Sequence, residues 1–187
     1  MQRSGDQYGR RKLVKTQSQS PFSDSSMGLR DSHKCRHVRQ GNGNTIYSIG
    51  YERRTLAEVI AVLQDLNVEL LVDVRERPFS RRVDFRRSSI EAACSTAGIR
   101  YENWTDLGST EAQRKRLIAT RDYGEFRRRF RSFARRYRKT ALDRLSEVAK
   151  NRSVALFCYE RLHEECHRGV VADLVGARVD ACVIAIS

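Results

Sequence analysis

The residues most able to do chemistry lie in one run near the carboxyl end: Cys158-Tyr159-Glu160-Arg161-Leu162-His163-Glu164-Glu165-Cys166-His167-Arg168. Thiols, imidazoles, carboxylates and guanidinium groups at this density are costly to bring together without partners. Cys166 stands beside His167 and Arg168, the environment that lowers a thiol's pKa and makes it a nucleophile. Glu160 can act as a base or orient an arginine. Arg168, joined by Arg75 from earlier in the chain, can hold a phosphate or carboxylate in bidentate fashion. The N-terminus of a helix beginning near Glu165 would help. Cys166, His167 and Glu160 are therefore the catalytic candidates.

The same residues admit two other readings. In the first, Asp73 or Glu160 pairs with Arg75 or Arg168 to close a sheet edge, and Cys166 packs as a small apolar residue. In the second, His163, Cys166 and His167, spaced three and four apart, share a helix face and hold a metal with Cys158 as a fourth ligand. Against the metal, His163 precedes the helix and no partner can be named to orient the ligands. Neither a metal nor a cofactor is expected. His33, Cys35 and His37 also sit close together, but they lack a second ligand pair at finger spacing.

The elements that must position these groups read as alternating strands and helices. Ser153-Val154-Ala155-Leu156-Phe157-Cys158 is an apolar run of strand length that stops at the polar cluster. A polar cluster at the carboxyl end of a strand, followed by a helix, is where open α/β sheets bind ligands. Thr45 to Ile49 forms an earlier strand ending at Gly50, and Thr55 is placed to cap a helix over Leu56 to Leu66. Glu69 to Val74 is continuous enough to be a strand covered on both faces. These three make a βαβ unit with a right-handed crossover. Ser88-Ser89-Ile90-Glu91 has the form of a capping box opening a short helix that ends at Gly98. Ile99 to Trp104 is a third strand, a helix runs from about Glu165 to Ala177, and Val179 to Ile186 is the last strand.

The expected fold is therefore α/β: one three-layer, Rossmann-like domain over residues 45–187, with a mostly parallel sheet of about five strands. The carboxyl edge of such a sheet collects Tyr51, Glu52, Asp73, Arg75 and Gly108 with Glu160, Cys166, His167 and Arg168. Tyr51, Glu52, Asp73, Arg75, Gly108 and Arg168 are the ligand-binding candidates.

Between the third and fourth strands comes an Arg-rich helical insertion from Glu111 to Lys150. Phe126, Phe130, Phe133 and Tyr137 fall on one stripe of it and read as core contacts. Arg127, Arg128, Arg131 and Arg135, among the arginines covering the rest, are candidates for a phosphate backbone; a solvated face is the other reading. The chain has Lys+Arg 36 against Asp+Glu 23, a formal net charge of +13, and a pI near 10.1. That charge favours polyanions, nucleic acid first. Residues 1–44 are polar and basic without apolar periodicity, and read as a disordered tail. The Cys 5 of the composition show no disulfide framework and suggest reduced thiols in the cytoplasm. No stretch approaches the roughly 20 apolar residues of a membrane span, and Met1 to Asp6 lacks a secretory apolar segment.

The chain resembles the domain of unknown function 488 family. The resemblance rests on Ile46-Tyr47-Ser48-Ile49-Gly50-Tyr51-Glu52, on Leu71-Val72-Asp73-Val74-Arg75 with Pro78 and Ser80, on Gly98-Ile99-Arg100-Tyr101 and on Leu107-Gly108. It closes on Val154 to Glu160 and Cys166-His167-Arg168. It implies an intracellular, mainly prokaryotic α/β domain whose reaction is not established, with signature positions Asp73, Arg75, Glu160, Cys166, His167 and Arg168. Where many relatives have His-Ser after the glycine, this chain has Tyr51-Glu52, so a role needing an imidazole at the first strand does not carry over.

Three functions follow from these residues. The leading one is a domain that recognises a phosphate-bearing ligand, nucleic acid or nucleotide, either as a binding domain or as an enzyme acting through Cys166, His167 and Glu160. The second is a non-catalytic nucleic-acid-binding or adaptor module with the Cys-His-Arg cluster purely structural. The third is a redox or thiol-transfer role.

Overall fold

The computed structural model describes residues 29–31 and 45–187. Apart from Leu29–Asp31, the expected tail lies outside the described residues, and so do His33, Cys35 and His37. The elements run β1 (Leu29–Asp31), β2 (Thr45–Gly50), α1 (Leu56–Asp65), β3 (Leu70–Asp73), α2 (Arg87–Thr96), β4 (Arg100–Asn103), α3 (Glu111–Thr120), α4 (Tyr123–Tyr137), α5 (Lys139–Asn151), β5 (Val154–Cys158), α6 (His167–Val179) and β6 (Cys182–Ile186). The sheet order is β1-β6-β2-β5-β3-β4. The five strands from β2 to β6 are parallel, and Leu29–Asp31 pairs antiparallel with β6 at the edge. The fold is the expected three-layer α/β domain.

The layers follow from strand alternation. Val154, Leu156 and Cys158 of β5 face one core with Phe130, Leu142, Leu145 and Val170 from α4, α5 and α6. Ala155 and Phe157 face the other with Val59, Leu63, Ile90 and Cys94 from α1 and α2. β5 is buried at every position because both faces are covered.

Local signals set several element ends. Thr55 caps α1 in a capping box, accepting from the Glu58 amide while the Glu58 carboxylate takes the Thr55 amide at 2.6 Å. The expected capping box at Ser88 does not form. The loop after Pro78 enters a 3-10 turn at Val83–Phe85 and α2 has already begun at Arg87, so Ser88 lies inside the helix; the Ser89 hydroxyl donates to the Val83 carbonyl instead. At the other end of the chain, residues expected to open a helix form a 3-10 turn, His163–Glu165, and Cys166 is the N-cap of α6.

The Arg-rich insertion is three helices, α3 to α5. Its aromatic stripe stacks ring on ring from Phe126 through Phe130 and Phe133 to Tyr137. Phe126 and Phe130 are buried, but Tyr137 is 59% exposed. No described helix is long and apolar enough to cross a membrane. Cys94, Cys158 and Cys166 are free thiols, whereas Cys182 is disulfide-bonded, at variance with the expectation of reduced thiols throughout.

Candidate functional site

β5 is the central strand of the site. Its neighbours β2 and β3 lead into α1 and α2 on one face, whereas β5 leads into α6 on the other. Connections that leave adjacent strands toward opposite faces open a crevice at the carboxyl edge, here on both sides of Cys158. Gly50 lets the chain close in: it pairs with Cys158, and a Cβ there would lie 1.9 Å from the Glu160 carbonyl oxygen.

At that edge the Sγ atoms of Cys158 and Cys166 and a ring nitrogen of His167 all lie within 4.8 Å of one another. Nδ1 of His167 is 3.8 Å from the Cys166 sulfur and 4.0 Å from that of Cys158. Its Nε2 donates to the Val74 carbonyl at 3.0 Å. A carbonyl only accepts, so this bond assigns the proton to Nε2 and turns Nδ1 toward the sulfurs. The Ser109 hydroxyl is 3.5 Å from the same Nδ1, and Phe130 meets the ring edge-on. Glu160 Oε2 is 3.5 Å from the Cys158 sulfur. Both cysteines and the histidine are buried, while Glu160 is half-buried and forms the solvent side of the cluster.

The electrostatics are asymmetric. Burial alone would raise the Cys166 thiol, but the Cys158 thiol, His167 and Arg168 hold it well below the ordinary thiol range. Cys158 is pushed well up by its hydrogen bond to Cys166 and by burial. Glu160 is pushed up to about 8 by burial and by the negative charge at Cys166. Burial would lower His167, and the Cys166 charge raises it above the ordinary imidazole value. These shifts favour a thiolate at Cys166 and a charged imidazole at His167, at a helix N-terminus, and favour the protonated form of the neighbouring Glu160 carboxyl.

Arg168 is fully buried. Its Nε donates to the Ser48 hydroxyl at 3.0 Å, Nη2 to the Arg161 carbonyl at 2.9 Å and Nη1 to the Glu160 carbonyl. Among the described residues no carboxylate lies within ion-pair distance of it. Its charge therefore acts on the cluster as a field, and its fork is spent on backbone. Ser48 also bonds His163 Nδ1 at 3.0 Å, while His163 Nε2 is 3.4 Å from Asp173. His163 is thus turned away from the sulfurs, and the helix-face trio of His163, Cys166 and His167 does not converge.

Asp73 and Arg75 form a buried pair on the opposite face of the sheet. Nε and Nη2 of Arg75 bind both Asp73 oxygens at 2.6 to 3.0 Å, and Nη1 reaches the Tyr51 hydroxyl and the Phe85 carbonyl. The Tyr101 hydroxyl donates to Asp73 at 2.8 Å. All the Arg75 nitrogens are engaged inside the protein. Tyr51 is buried between Phe85 and Phe157, Glu52 accepts the Arg161 amide, and Gly108 packs against the Glu76 backbone, where a Cβ would sit 2.5 Å from its nitrogen. These candidates position the loops around the cluster.

The arginines of α4 divide by face. Arg127 donates to the His163 carbonyl and to Asp173, and Arg131 to Asp173 at 2.9 Å, so both tie α4 to α6. Arg128 and Arg135 are exposed. Burial alone would raise Asp173, but its bond to His163 and the charges of His163, Arg127 and Arg131 lower it. A carboxylate held below its unfolded pKa contributes stability that is full above that pKa and lost as pH falls through the folded value. We expect Asp173→Asn to cost about 1.5–3 kcal/mol at neutral pH and to flatten the acid limb of stability below about pH 4, checked by urea unfolding between pH 7 and pH 2.5.

Sequence reasoning missed Ser48, Ser109, Asp173, Arg54 and Arg161. Ser48 had a signal: a hydroxyl inside a run that is otherwise apolar and β-branched. Arg54 lies close enough to Arg161 and Arg168 to feel their charge: burial and those charges lower it, against the opposing pull of Glu58. A separate cleft of about 340 Å³ lies between α3 and α4, lined by Arg116, Leu117, Glu125 and Phe126, and takes no part in the cluster.

A three-layer parallel α/β domain with a polar, thiol-bearing cluster beyond its central strand is the class that fold and site define. Within that class, the family model described as "Domain of unknown function DUF488" matches residues 55–175, and the chain belongs to that family. No curated protein and no solved structure matches the chain.

Proposed function

We propose that the protein is an intracellular, thiol-dependent enzyme that acts on a phosphate-bearing ligand, a nucleotide or nucleic acid, at the carboxyl edge of β2 and β5. Cys166 is the nucleophile, His167 stabilises its thiolate, and Glu160 moves a proton at the solvent side. Arg54 and Arg161, with Arg168 behind them, supply the positive field for the anion. Asp73, Arg75, Tyr51, Glu52 and Gly108 hold the loops that shape the edge.

The observation that carries this reading is the 3.8 Å approach of the Cys166 sulfur to His167 Nδ1, with Nε2 committed to the Val74 carbonyl. The test is alkylation of the metal-free full chain by iodoacetamide, mapped by mass spectrometry, with and without inorganic phosphate or a short oligonucleotide. Cys166 should react faster than Cys94, whose thiol burial pushes up to about 12, and phosphate should protect it. If Cys166 reacts no faster than Cys94, the reading fails.

A second reading is favoured by one feature of α4. Arg128 and Arg135 are exposed and have no ion-pair partner among the described residues. A non-catalytic nucleic-acid module would use them on phosphates. Removing both would then lower DNA affinity and reduce the salt slope by about 2, while Cys166→Ser would leave binding unchanged.

A further inference from the structure

We infer that Cys158, Cys166 and His167 form a binding site for one Zn²⁺ ion, with the Glu160 carboxylate as the fourth ligand. Three donors of the right chemical kind converge from two rigid elements, the end of β5 and the start of α6. Two thiolates and an imidazole suit zinc.

The spacing fits the ion. With Zn–S about 2.3 Å and Zn–N about 2.0–2.1 Å, a tetrahedron puts sulfur and nitrogen about 3.6 Å apart. The sulfur-to-Nδ1 distances are 3.8 and 4.0 Å, so closure needs movements of a few tenths of an ångström. Glu160 lies outside that trio: its Oε2 is 3.5 Å from the Cys158 sulfur, a tetrahedral edge on that side, and its side chain must turn inward to complete the coordination.

The surroundings fit it too. A liganding histidine commonly donates its other ring N–H to a carbonyl or carboxylate, which orients the ring. His167 does this toward the Val74 carbonyl, the orienting partner that the chain alone did not reveal. Of the four ligands that spacing had offered, Cys158, Cys166 and His167 remain, and Glu160 takes the place of His163. Two thiolates and the Glu160 carboxylate balance the charge of the ion and of the buried Arg168 guanidinium, which has no carboxylate within ion-pair distance among the described residues. The site uses the same side chains as the proposed function but does not depend on it: a bound ion ties up Cys166, so the metal-loaded and nucleophilic states exclude one another.

The experiment is titration of the chelator-stripped full chain with Co²⁺, followed by displacement with Zn²⁺. The expected result is one Co²⁺ per chain, with a thiolate-to-cobalt charge-transfer band and the intense visible bands of a tetrahedral ion, both abolished by Zn²⁺. Cys158→Ala should remove the charge-transfer band's stoichiometric onset, and Glu160→Gln should weaken affinity about 10-fold while keeping the band. If Cys158→Ala does not fold, alkylation mapping of the unmodified chain replaces it: Zn²⁺ should protect Cys158 and Cys166 and leave Cys94 unaffected. Absence of the charge-transfer band, an unchanged titration in Cys158→Ala, or no protection by Zn²⁺ would each overturn the site. Fast Cys166 alkylation without zinc binding would overturn this inference alone. Zinc binding with an unreactive metal-free Cys166 would overturn only the proposed function.

Discussion

Asp73→Asn is expected to destabilise the protein by about 3–5 kcal/mol, the cost of leaving one member of a buried ion pair without its partner. Asp73 is fully buried and Arg75 is 6% exposed, so water cannot take over the lost interactions. Burial alone would lower Arg75, and in the native protein the Asp73 hydrogen bonds and charge hold it above its ordinary value; a guanidinium does not deprotonate at neutral pH even without that partner, so Arg75 stays charged when Asp73 is neutralised. The Tyr101 hydroxyl and the Arg75 amide lose an anionic acceptor at the same time. A domain of ordinary stability has about 5–15 kcal/mol in total, so the urea midpoint should fall far. The apolar double variant Asp73→Leu, Arg75→Met should recover much of the loss, since replacing both members of a buried pair is often near neutral. A double variant as unstable as the single one would show that the pair does more than close the sheet edge.

Gly50→Ala is expected to damage fold and site together. A methyl group there meets the Glu160 carbonyl oxygen at 1.9 Å and its carbon at 2.7 Å. These are backbone atoms that cannot rotate away, so β2 and the loop after β5 must separate. Overpacking of this kind typically costs about 1–3 kcal/mol and more when backbone must shift. Because the displaced segment carries Glu160 and accepts Arg168 Nη1, the variant should also lose the distinctive reactivity of Cys166. Unfolding and alkylation rates read on the same sample check both effects. Lost stability with unchanged Cys166 reactivity would separate the Gly50 contact from the site.

The chain alone determined a good deal. Its apolar runs and turns specify the alternation of strands and helices, Thr55 and Glu58 mark the start of α1, and Cys166-His167-Arg168 is legible as a candidate site, because periodicity, capping and local clustering are short-range properties. What lies beyond them belongs to the tertiary structure. β5 enters between β2 and β3, a long-range pairing that no local pattern specifies, and this brings Cys158, Val74 and Ser109 to His167. Arg127 and Arg128 are neighbours of one type, yet one binds Asp173 and the other faces solvent, because only the packing of α4 on α6 chooses the inward face. Asp73 and Arg75 looked available for a ligand until burial committed them to each other. Residue type sets which interactions a group can make; the partners that meet it after folding, and the water excluded around them, decide which ones it makes.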